Sequence, residues 1–176
     1  GLSSPAALEM SLGLALLTAS GHPPDLRRLA LAGQRAEHHF AGTQCGIMDQ
    51  FVSAHARSGH ALLLDCRSLD STHVPLPDAL RLVVCDTGVK HRLAGGEYNV
   101  RRAQCEEGVR LLRSHLPHIR ALRDVTLEDL QRHGSNLPDT VLRRCRHVVS
   151  ENDRVLRFAE TLSSGTLQDL GPWMAQ

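Results

Sequence analysis

From residue 5 to about residue 20, apolar positions recur with helical spacing at Leu8, Leu12, Ala15 and Leu16, and Gly21 with Pro23 and Pro24 ends the run. Ser4 suits the N-cap of this helix and Pro5 its first turn. A second helical pattern covers 25–41, with Leu26, Leu29, Ala30 and Phe40 on its apolar side. A short apolar helix follows around Asp49, with Met48 and Phe51 expected in the core. The period then changes. Residues 60–65, with Leu62, Leu63 and Leu64 in succession, read as a buried strand, and 71–76 as its antiparallel partner, stopped by Pro77-Asp78. Residues 80–86 read as the strongest strand, ending at Thr87-Gly88.

Beyond that point helices return. Residues 94–116 form an Arg- and Glu-rich helix with Val100, Ala103, Val109 and Leu112 facing inward and Glu106 paired to Arg110. Thr126 caps a short helix near 127–131, and a long helix spans 137–162. Gly165 stops it, and a last helix starts at Thr166 and reaches Met174. Along the long helix Arg143, Arg144, Arg146 and Arg154 lie close to Glu151, Asp153 and Glu160, the pattern of a solvated, salt-bridged face. The shift from helices to strands near 75–80 places a domain boundary there, dividing the chain into 1–78 and 79–176, an α+β organisation.

Composition narrows the function classes. Charged residues nearly balance at a formal +1, so nothing points to nucleic acid or an acidic membrane. The apolar run at 12–17 is too short to cross a bilayer. Five cysteines, odd in number and with no CxxC pair, suit reduced thiols in a cytosolic protein better than a disulfide framework or zinc site. The chain starts without Met and inside a functional-looking loop, so it reads as an internal piece of a longer protein.

Two glycine-bearing stretches hold the candidate chemistry. Gly1-Leu2-Ser3-Ser4 runs into the first helix, and a helix N-terminus with its outward N–H groups favours anions, phosphate above all. Gly42-Thr43-Gln44-Cys45-Gly46-Ile47-Met48-Asp49 brings the backbone close to something and ends on a carboxylate. Asp49 reads either as the cap of its short helix or as a partly desolvated base able to take a hydroxyl proton. Glu37, at the C-terminal side of its helix and beside His38 and His39, gains nothing from the helix dipole. It is either a solvated side chain or a cation ligand.

Together these stretches resemble the galactokinases, a family of the GHMP sugar and metabolite kinases. The likeness runs through Gly1-Leu2-Ser3-Ser4, Ala36-Glu37-His38-His39-Phe40-Ala41-Gly42 and Cys45-Gly46-Ile47-Met48-Asp49-Gln50-Phe51. It continues in the segments from Gly59 to Leu69 and from Glu97 to Glu107, with a fainter echo from Arg144 to Glu151. It implies the end of an S5 domain 2-like N-terminal domain followed by the start of a ferredoxin-like C-terminal domain. It further implies transfer of phosphate from ATP to the C1 hydroxyl of galactose, with Mg²⁺ as cofactor, in the cytoplasm and with no protein partner.

Carried over residue by residue, the resemblance makes Asp49 the base and Glu37 a magnesium ligand with Ser4. Gly1, Leu2, Ser3 and Ser4 become contacts to the ATP phosphates, and Cys45 and Gly46 line the sugar site through their backbone. Tyr98 is either a sugar-hydroxyl partner or a half-buried aromatic at a helix start. One departure stands out. Pro5 occupies the place of the family's third loop serine, removing an N–H donor and a hydroxyl, which implies weakened Mg-ATP binding. The family's upstream sugar-gripping segment and its C-terminal glycine-rich motif are not in this sequence, so little or no activity is expected of the chain alone. A kinase for a related sugar such as N-acetylgalactosamine, or a sugar and nucleotide sensor without turnover, are the competing readings.

Overall fold

The computed structural model describes residues 2–86, 88, 96–164 and 167–175. They form two compact units, Gly1–Gly95 and Gly96–Gln176. This division falls after the 80–86 segment, whereas the change of pattern along the sequence had suggested 78/79.

The first unit contains helices α1 (Ser4–Ala19), α2 (Leu26–Ala36) and α3 (Met48–His55), and strands β1 (His60–Leu64) and β2 (Ser71–Pro75). Asp25 caps α2 by accepting from the Arg28 N–H at 3.0 Å. The strands pair antiparallel as expected, from His60 opposite Pro75 to Leu64 opposite Ser71. Met10, Ala30, Ile47 and Phe51 make the core, with Leu29, Leu62 and Leu64 packed against them.

Helix α1 does not bury the face its leucine spacing suggested. Leu8, Leu12 and Leu16 are 69%, 57% and 59% exposed, while Ala6 and Met10 are buried. The helix is apolar on nearly every side, so periodicity cannot select a face. Close approach selects it instead. A β-carbon on Gly13 would sit 2.5 Å from Leu29 Cδ1, and one on Gly33 2.5 Å from Met10 Cε, so α1 and α2 meet across glycines.

Three further expectations are corrected in this unit. The second helix becomes a π-helical turn at Glu37–Ala41 and closes on Gly42 at φ 71°, which leaves Phe40 exposed. Met48 is exposed as well, because Ile47, Gln50 and Phe51 are the residues of its stretch that are buried. Residues 80–86 form no strand, and Leu82, Val83 and Val84 are exposed. A β segment is held by its ladder partners, and among the described residues none pairs with it.

The described part of the second unit is helical: α4 (Glu97–Leu112), α5 (Leu127–His133), α6 (Asp139–Ser164) and α7 (Leu170–Met174). Val109, Leu112, Ile119, Leu122, Leu130, Val141, Cys145 and Val149 build its core. Val100 and Ala103, expected inside, are exposed. Arg110 pairs with Glu107 at 2.5 Å and Arg102 with Glu106 at 3.0 Å, in place of the expected Glu106–Arg110 pair. On α6, Arg154 meets Glu151 as foreseen and Arg157 meets Asp153 at 2.8 Å, while Arg144 donates to Gln104 Oε1 of α4 at 3.3 Å. The helix stop and start expected at Gly165 and Thr166 lie outside the described residues. All five cysteines are free thiols.

Gly108 is where α4 and α6 approach: a β-carbon there would lie 2.2 Å from Cys145 Sγ and 3.3 Å from Val141 Cγ1. Gly108→Ala is therefore expected to destabilise the chain by about 1–3 kcal/mol through overpacking. Cys145→Ala in the same chain should recover part of that loss, which a double-mutant cycle in urea would measure as a coupling. At α5, Thr126 and Asp129 form a reciprocal cap in which Asp129 Oδ2 accepts from the Thr126 hydroxyl and N–H at 2.6 and 2.9 Å.

Those bonds hold the Asp129 carboxyl below the ordinary carboxylate range, the hydroxyl contributing most. Its stabilising effect is present above the unfolded-state pKa and fades as pH falls through the lower folded-state value. Asp129→Asn should lower the melting temperature at pH 7, and the difference from wild type should shrink in acid. An undiminished difference in acid would show that the charge is not what matters.

Candidate active site

Helices α1 and α3 begin side by side. Ser3 is the N-cap of α1, one residue earlier than expected, with Ser4 and Pro5 inside the first turn. Proline fits there because first-turn N–H groups have no partner within the helix. Ser3 has φ 50° and ψ 37°, a left-handed conformation unusual for a residue with a side chain. So placed, its hydroxyl donates to Asp49 Oδ1 at 3.0 Å. Asp49 lies in the first turn of α3 and is half-buried, so it does not simply cap its own helix.

Around this pair opens a hollow of about 380 Å³ lined by Leu2, Ser3, Ala7, Met48, Asp49 and Val52, among others. A carboxylate, a hydroxyl and the positive ends of two helices face one cavity. That arrangement can hold an anion against a base.

Glu37, Cys45 and Gly46 do not line the hollow. The Cys45 carbonyl accepts from Gln34 Nε2 at 3.2 Å and from the His38 ring Nε2–H at 2.8 Å. Glu37, on the π-helical turn, has its carboxyl near that of Glu9 of α1. Ser4 sits exposed on the first turn of α1. Tyr98 belongs to the second unit, 51% exposed on the first turn of α4. Gly1 lies outside the described residues.

Sequence reasoning passed over Glu9 and Gln50. Gln50 is buried, 2% exposed, and its Nε2 donates to Glu9 Oε2 at 3.2 Å. Its Oε1 has no hydrogen-bond partner. Burial pushes the Glu9 carboxyl up, the Gln50 bond counters this, and the neighbouring Glu37 carboxyl adds to the rise. Burial likewise raises the Cys45 thiol. The signal was available: Glu9 is the one charged residue in the α1 sequence.

For a divalent cation the donor chemistry is suitable. Hard oxygens are present on Ser3, Ser4, Glu37 and Asp49, and no group of three or more His, Cys, Asp or Glu gathers among the described residues. Mg²⁺ is commonly held by one or two carboxylates, with water and substrate phosphates completing its shell, so the donor types suit it, with Glu37 standing outside the hollow that Ser3 and Asp49 line.

A helix start bearing a serine turn is seated against an aspartate on a neighbouring helix, and residues 1–57 match the GHMP kinases N terminal domain. More particularly, the chain is homologous to the galactokinases along its whole length. It is 52% identical over 99% of its residues to the galactokinase of Chloroflexus aurantiacus, and 50% identical over 100% to that of Chloroflexus aggregans. In each case it spans 45% of the relative's length. Its fold matches the crystal structure of Lactococcus lactis galactokinase complexed with galactose at a TM-score of 0.80. That match, at 24% identity, covers 96% of this chain and 44% of that one. No described helix is long and apolar enough to cross a membrane.

Proposed function

We propose that this chain forms part of the nucleotide and acceptor sites of a cytosolic, ATP-dependent galactokinase that makes galactose 1-phosphate and ADP. The observation that carries this reading is the Ser3–Asp49 contact inside one hollow. The phosphate turn and the base have to share a cavity for transfer to occur, and five free thiols suit a reducing compartment.

In this reading Leu2, Ser3 and Ser4, at the positive end of α1, hold the ATP phosphates. Asp49 orients the galactose C1 hydroxyl and takes its proton as the oxygen attacks the γ-phosphorus. The bond from that phosphorus to the β,γ-bridging oxygen then breaks, and ADP leaves with the electron pair. Glu37 and Ser4 would hold Mg²⁺, which when bound supplies positive charge to the phosphates. Cys45 and Gly46 offer backbone to the sugar, and Tyr98 a phenol. Positioning and charge do most of the work, since phosphoryl transfer needs little covalent help from the protein.

Asp49→Asn in the full-length protein should lower kcat by about 10²–10⁴-fold, the usual contribution of a positioned base. The affinity for a non-hydrolysable ATP analogue should be retained. Turnover of galactose, followed by ADP release, checks the first, and calorimetry the second. Wild-type kcat in the variant would remove Asp49 from the chemistry.

Pro5→Ser should lower the KM for ATP by roughly fivefold, the worth of about one hydrogen bond. An unchanged KM would show that residue 5 is not a nucleotide contact.

A further inference from the structure

Helices α1 and α3 are joined twice. The outer link is Ser3 to Asp49 at 3.0 Å. The inner one joins the next residue of α3 to a site further down α1, from Gln50 Nε2 to Glu9 Oε2 at 3.2 Å. The outer link is exposed to solvent, while Gln50 is 2% exposed.

A buried amide with one oxygen left unbonded is a poor way to stabilise a core, because an apolar side chain of the same shape avoids the desolvation cost. The surroundings nonetheless make room for it. A β-carbon on Gly33 would lie 3.0 Å from Glu9 Oε2 and 3.1 Å from Gln50 Cγ, so α2 leaves a gap where the pair sits. The same amide nitrogen lies 4.0 Å from Cys45 Sγ, and the Glu37 carboxyl is near enough to Glu9 to raise it. The pair thus joins the residue next to the candidate base, Gln50, to α1, beside Cys45 and near the Glu37 carboxyl.

We propose that the Glu9–Gln50 pair is a positioning clamp that fixes where Asp49 stands relative to the phosphate turn of α1. This rests on the kinase reading above and assigns two positioning residues that touch neither substrate. Deleting Glu9 leaves the Gln50 amide buried without that acceptor, and deleting Gln50 leaves the half-buried Glu9 without its donor, so either change perturbs stability and geometry together. Deleting both with Leu restores an apolar interior, so stability returns while the directional link stays broken. The double variant therefore separates the two roles. A merely structural pair would regain turnover along with stability, and a positioning pair would not.

The experiment compares full-length wild type with Glu9→Leu/Gln50→Leu and with Glu9→Gln, which keeps a bond to Gln50 through its side-chain carbonyl. The double variant should melt near wild type and bind AMP-PNP with an unchanged dissociation constant by calorimetry. Its kcat for galactose should fall about tenfold or more, since small displacements of reacting groups are costly. Glu9→Gln should stay within about twofold of wild-type kcat, the result expected if the bond rather than the charge is what positions Asp49. A stable double variant with wild-type kcat overturns the clamp and leaves the kinase reading standing. If the double variant unfolds, Glu9→Gln decides: wild-type kcat supports the clamp and a kcat as low as that of Asp49→Asn overturns it. Absence of turnover in the wild type itself overturns the kinase reading, and the clamp with it.

Discussion

Two side chains separated by 46 positions meet at 3.0 Å, and the architecture of the first unit can be read as what makes that meeting possible. For Ser3 to reach Asp49, α1 and α3 have to start side by side. That requires α1 to lie close on α2, and the approach is possible only because Gly13 and Gly33 carry no side chain. The cost is visible on the other side of α1, where Leu8, Leu12 and Leu16 face outward. Packing by small residues overrules packing by leucines, because close approach between helices depends on volume at the contact more than on total hydrophobicity.

The sequence was most legible where local chemistry decides the outcome. The antiparallel β1–β2 pair and the Thr126 cap follow from short stretches whose residue types leave few alternatives, whereas the conjunction of the serine turn with Asp49 was implied only by the family resemblance. It was least legible where tertiary contacts decide. Apolar periodicity could not choose the buried face of α1, a helix apolar on nearly all sides. Leu82, Val83 and Val84 have strong β character, yet a strand exists only with a partner, and none is found among the described residues. Glu9 and Gln50 escaped notice because their significance lies in meeting each other across 41 positions, which neither neighbourhood reveals.

The two units divide polar from apolar work. In the second, ten buried apolar residues make one cluster, and Cys145 at its centre has its thiol pushed up to about 11, chiefly by burial, as suits an inert core residue. In the first, the core is smaller and includes a buried amide next to two carboxyls and a thiol. Polar groups in an interior sharpen geometry at the expense of stability. The unit that bears the candidate chemistry is the one that accepts this exchange.

The same exchange operates at the backbone of Ser3. A left-handed conformation costs a residue with a β-carbon roughly 1–2 kcal/mol relative to glycine. A hydrogen bond to a charged acceptor contributes about 1.5–3 kcal/mol where water is kept out and less at an exposed site. The Ser3–Asp49 bond is exposed to solvent, so it offsets only part of that cost. Any other partner of the Asp49 carboxylate competes with that bond. Ser3 thus ties the backbone conformation at the start of α1 to the carboxylate on α3 through a single hydroxyl group.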